Sequence, residues 1–213
     1  MFLKEWQTEL RSQSGVLNGL LFSVVTVFAI SFASLSTKMS GTVVAGMLWI
    51  ALLFSTSASL PRTFLSEEEH GTGDLLRLIS RPHAIFWGKA IFNSLQCVVT
   101  GAMLSALYLG FNGTTIGVPW LFVVSVLAGC LSLAGTVTLC GAIASQASNR
   151  AVLAAVIAVP LLLPLVTIGV SAVRVSLGDG DMASGIASVI GLVGYAGATL
   201  ATGPWIYATV WKS

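Results

Sequence analysis

Charge is what this 213-residue chain has least of: charged residues make up 8% of it, and apolar residues 55%. A soluble domain carries about 25% charged residues, so a water-covered globule is excluded. Disorder is excluded as well, because a disordered chain needs low hydrophobicity. A mean hydropathy of +0.92 instead places the chain in a membrane. The net charge of +2 is too small for a nucleic-acid surface, and no nucleic-acid partner is expected. Cysteine is scarce too. Cys97, Cys130 and Cys140 are odd in number, each inside an apolar run, with no CxxC and no metal spacing. They read as small buried hydrophobes, with no disulfide expected. No GxxxxGK[ST] phosphate loop occurs, and no nucleophile–base pair or paired carboxylate is visible. The chain is therefore not expected to be an enzyme, and any ATP hydrolysis falls to a partner.

Residues 1–14 mix acids and bases ahead of any apolar stretch, unlike a cleavable signal. Phe2, Leu3, Trp6 and Leu10 form a stripe that predicts a short amphipathic helix at the membrane interface. A spanning helix needs about 20 mainly apolar residues. Six stretches qualify: Val16–Ser36, Gly41–Leu60, Ala90–Phe111, Pro119–Ala144, Ala151–Val173 and Ile186–Val210. The expected fold is an all-α membrane protein, one permease-sized domain over 1–213 with six transmembrane helices. With the N-terminus inside, eight Lys/Arg residues lie in inner segments, and only Lys38 and Arg174 lie outside. The positive-inside bias thus puts both termini in the cytoplasm.

Separators between spans are short except for 62–89, which holds Glu67, Glu68, Glu69, Asp74 and both histidines. Span two is expected to run on as a helix through Phe64 to the glutamates, with Gly71 breaking it. Thr72 can then cap a second short helix, with Asp74 in its first turn against the macrodipole. Leu75, Leu76, Leu78 and Ile79 give that helix an apolar face, and Pro82 ends it. Such a helix either docks in a partner's groove or lies flat on lipid headgroups. Periodicity does not choose between these.

The string Glu68-Glu69-His70-Gly71-Thr72-x-Asp74-Leu75-Leu76, followed by Pro82 and Gly88-Lys89, resembles the coupling segment of ABC-2-type permeases. Three further stretches narrow the resemblance. They are Gly46-x-Leu48-Trp49-Ile50-Ala51-x-Leu53 in span two, Val159-Pro160-x-x-x-Pro164-Leu165 in span five and Gly203-Pro204-Trp205 in span six. Together they are similar to the haem exporter protein B (CcmB) family, the permease of cytochrome c maturation. One departure is Pro61, where the family places an acidic residue before the equivalent of Arg62.

The resemblance implies a membrane subunit of an ABC transporter, either exporting haem or using ATP to release a haem-loaded chaperone. It implies an ATPase partner (CcmA-like) seated on Glu68, Glu69, Gly71, Thr72, Asp74, Leu75, Leu76, Leu78, Ile79 and Pro82. A second copy of the chain, a haem-handling membrane protein (CcmC-like) and a small membrane subunit (CcmD-like) are further implied partners, in a bacterial inner membrane. ATP belongs on the ATPase and haem on the partner. This chain is expected to bind no cofactor or metal, because His70 and His83 both lie in the cytoplasmic loop. Pro160 and Pro164 remove two backbone donors and bend span five, which makes them a gate or hinge if the kink is not static. The glycines of span six suit close helix packing. Asn93 and Gln96 are candidates for hydrogen bonds between helices. Two rivals remain at this point: an ABC-2 exporter of a drug, lipid or polysaccharide, and a membrane scaffold that transports nothing.

Overall fold

The computed structural model describes residues 14–34, 39–59, 82–113, 115–145 and 150–210. These form six helices: α1 (Ser14–Ser34), α2 (Gly41–Ser59), α3 (Pro82–Asn112), α4 (Pro119–Ala144), α5 (Arg150–Ser176) and α6 (Met182–Val210). Helices α3 to α6 are long and apolar enough to cross a membrane. The shorter α1 and α2 have 21 and 19 residues. In a bilayer only helices or closed barrels can satisfy every backbone group, and this chain takes the helical solution.

α4 is the centre of the bundle. It packs on α6, α5 and α3, and is buried along most of its length. Its hydroxyls are neutralised locally. Ser125, Ser132, Thr136 and Thr138 each donate to the carbonyl four residues back, at 2.6–2.8 Å. An intramembrane hydroxyl thus avoids a desolvated, unpaired state. Ser132 Oγ also lies 2.7 Å from the Leu192 carbonyl of α6, so its single proton is shared between a carbonyl of its own helix and one of its neighbour. α1 lies at the edge against α2 and α3, and the Ser23 and Ser55 hydroxyls join α1 to α2 at 2.9 Å.

One boundary departs from the sequence expectation. Pro82 opens α3, and 82–89 is helical rather than loop, while the helix that Pro82 is expected to end lies outside the described residues. Proline suits a first helical position because its missing N–H has no partner there in any case. The eight added residues are tertiary in origin: Ile85, Phe86 and Ala90 pack with Ala142 of α4 and Tyr207 of α6. Phe86 lies directly over Gly203, where any side chain would collide with its ring. Lys89, expected in a hydrophilic loop, is 1% exposed.

The opposite end of the bundle is clasped by main chain. Gly178, with φ +92°, ends α5. Its N–H bonds the Val175 carbonyl at 3.0 Å, and the Asp179 N–H bonds the Arg174 carbonyl at 3.2 Å. Asp179 Oδ2 then accepts from the backbone N–H and the hydroxyl of Thr42, at 3.1 and 3.0 Å. A loop residue 137 positions away therefore caps the N-terminus of α2. The Val118 N–H adds a 2.8 Å bond to the Ser176 carbonyl.

Candidate functional site

The sequence points to two places, the coupling segment and the paired prolines. Of the first, Glu68, Glu69, Gly71, Thr72, Asp74, Leu75, Leu76, Leu78 and Ile79 lie outside the described residues. So do the amphipathic stripe of residues 2–10 and His70. Pro82 is described, as the first residue of α3. His83 is exposed beside it, and its ring stands edge-on to Trp205 at 5.8 Å between centroids. Trp205 is 73% exposed and Trp87 43%. Exposed tryptophans at one end of a bundle suit a membrane–water interface, where the ring's apolar body and polar N–H both find partners.

The second place is fully described. Pro160 and Pro164 sit near the middle of α5, both exposed. They divide that helix into halves with different surroundings. Of residues 152–164 none is buried, whereas Leu165, Gly169, Ala172, Val173, Val175 and Ser176 of the other half all are. The C-terminal half, from Leu165 on, is held by Trp49 of α2. That indole is 1% exposed and fits a slot between Gly129 of α4 and Gly169 of α5. A Cβ on Gly129 would stand 2.7 Å from the ring, and one on Gly169 would overlap it. Ser188 Oγ on α6 donates to Ser171 Oγ at 3.1 Å. Around the prolines, Thr167 Oγ1 donates to the Pro164 carbonyl at 2.8 Å. Tyr195 Oη of α6 donates to the Leu161 carbonyl at 2.6 Å.

The interhelical polar contacts expected of α3 are half present. Asn93 Nδ2 donates to Thr138 Oγ1 of α4 at 2.9 Å, while the buried Gln96 Nε2 has no hydrogen-bond partner among the described residues. The α6 glycines divide similarly. Gly185 sits against Val175 and Leu121 and Gly191 against Ile168, but Gly194 and Gly197 face open space. The three cysteines are free and buried. No group of three or more His, Cys, Asp or Glu residues is placed to hold a metal ion among the described residues. Sequence reading assigned no role to Tyr195, Gly129, Gly169 or Asp179. Only Trp49 carried a signal, through the motif that contains it.

In the described region two prolines lie inside one continuous helix, between a half with buried side chains and a half with none. No curated protein matches the chain. A family model does match, that described as CcmB protein, and it covers residues 1–210.

Proposed function

The chain belongs to the CcmB family, and from that premise we propose that it is the membrane permease subunit that couples a partner ATPase to cytochrome c maturation. The family match over residues 1–210 is the observation that carries this reading, and the chain is a multi-pass membrane protein of the ABC-transporter permease kind. In the proposed arrangement all six helices cross a bacterial inner membrane, with both termini inside. At 1.5 Å per residue α1 and α2 reach about 31 and 28 Å, close to the thickness of a hydrocarbon core of about 30 Å. The segment from Glu68 to Ile79 seats the ATPase, two copies of each chain assemble, and α3, beginning at Pro82, carries the displacement inward.

Haem, in this proposal, stays on a haem-handling membrane partner, and this chain supplies motion. An axial ligand must be His, Met, Cys or Tyr. The two histidines are at 70 and 83, and His83 packs edge-on to Trp205 at one end of the bundle. The cysteines are enclosed in the bundle. The unpacked half of α5 supports a moving role, because a helix segment without buried side chains can change position without tearing a core.

Affinity purification of the tagged chain from its native membrane tests the proposal. The expected co-purifying proteins are an ATPase and a haem-handling membrane protein, with a haem spectrum that disappears when the latter is deleted. An ATPase without haem would indicate an exporter of another substrate. Absence of any ATPase would leave a scaffold. Haem retained without the partner but lost in His70→Ala or His83→Ala would place haem on this chain.

A further inference from the structure

Resting on the permease reading above, we propose that the Tyr195 hydroxyl is the latch on a swinging arm, the inner half of α5 from Val152 to Leu163. The outer half is pinned from four directions: the Trp49 indole across Gly169, the Ser188–Ser171 hydroxyl pair, the Val118–Ser176 backbone bond and the Asp179 cap on α2. The inner half has no such ties. None of residues 152–164 is buried, and of these Leu162 is the one that packs against the main core. Among the described residues, a single side-chain hydrogen bond from another helix reaches this half, Tyr195 Oη to the Leu161 carbonyl at 2.6 Å.

That bond lands between the two prolines, one residue after Pro160 and three before Pro164. Proline at 160 and 164 deprives the carbonyls of residues 156 and 160 of their usual donors, so two rungs of the helical ladder are missing here. Rotation at this point breaks less main-chain bonding than anywhere else in α5. In a hydrocarbon setting a phenol O–H and a carbonyl both need partners, so the tyrosine holds one position until a competing arrangement is offered. Tyr195 is thus a positioning residue. It acts through the carbonyl it holds.

The test uses the full chain with its partner ATPase in lipid nanodiscs. Spin labels on Leu153→Cys and Thr202→Cys report the inner half of α5 against α6. Labels on Val170→Cys and Ile186→Cys report the outer half. The native cysteines are buried and stay in place. Tyr195→Phe keeps the ring and removes the donor. One net hydrogen bond changes a population ratio about 2- to 13-fold. The long-distance component of the inner pair should rise by that factor, with the outer pair unchanged. An unmoved inner distribution, or equal broadening of both pairs, overturns the latch. A separate arm adds ATP. An inner pair that responds to Tyr195→Phe but not to nucleotide leaves the latch standing and sinks the coupling role instead.

Discussion

Gly169→Ala gives two physical effects of opposite sign a direct contest. Glycine inside a helix costs about 1 kcal/mol relative to alanine, so propensity alone makes the substitution stabilising. The packing term points the other way. A Cβ at 169 would overlap the Trp49 ring, which Gly129 confines on its other side at 2.7 Å from a would-be Cβ. With glycines on two facing helices already used to admit the indole, the ring has nowhere to retreat. Overpacking of this kind costs about 1–3 kcal/mol, and the depth of the overlap argues for the upper end. The net loss is then about 2 kcal/mol. For a chain of this length each kcal/mol moves the midpoint by about 2–4 °C, so the purified protein should melt about 4–8 °C lower. Thermal scanning of tryptophan fluorescence in lipid nanodiscs reads this. Trp49→Phe removes the overlapping ring, so Gly169→Ala should cost less in that background, by a coupling within the roughly 0.5–3 kcal/mol seen for touching residues. A raised midpoint for Gly169→Ala, or strictly additive losses, would refute the slot.

Three other substitutions probe separate features. Asp179→Ala removes the cap on α2 and should lower the midpoint by about 2–4 °C, for a cap of about 1 kcal/mol; no change in the melt would mean that the Thr42 contacts carry no weight. Gln96→Leu replaces a buried amide whose Nε2 has no partner among the described residues. It should be neutral or stabilising in the same melt, because an unmade hydrogen bond costs about 1–3 kcal/mol. A fall of several degrees would show that the amide is satisfied. Replacing Pro160 and Pro164 together with alanine restores two helical donors. It should reduce c-type cytochrome assembly at unchanged membrane abundance, and normal assembly would make the kink static.

Much of the architecture is legible from periodicity and length. Pro119–Ala144 matches its expected limits because proline opens it and the apolar run ends at a polar turn. The start of α3 is not legible. Residues 82–89 include His83, Trp87, Gly88 and Lys89, which read as loop, and only the fit of Phe86 on Gly203 makes them a packed helix. The proline signal itself is ambiguous, since the residue that stops one helix can open the next. For the site, the prolines show in the sequence as residues, but their different flanks do not. Apolar side chains fill both halves of α5, and only tertiary contact distinguishes Leu165, fully buried, from Leu163, 63% exposed. The Asp179–Thr42 cap joins positions 137 apart, and Tyr195–Leu161 positions 34 apart. A single sequence carries no information about either pairing.

The central claim is that this chain couples an ATPase to cytochrome c maturation, and haem staining of c-type cytochromes in cells lacking the gene tests it most directly. Expected are loss of the stained cytochromes, recovery with the wild-type chain, and no recovery with Leu76→Glu present in the membrane at normal level, since a charge on an apolar docking face cannot be buried unpaired. Unchanged c-type cytochromes in the deletion, or full recovery with Leu76→Glu, would contradict it.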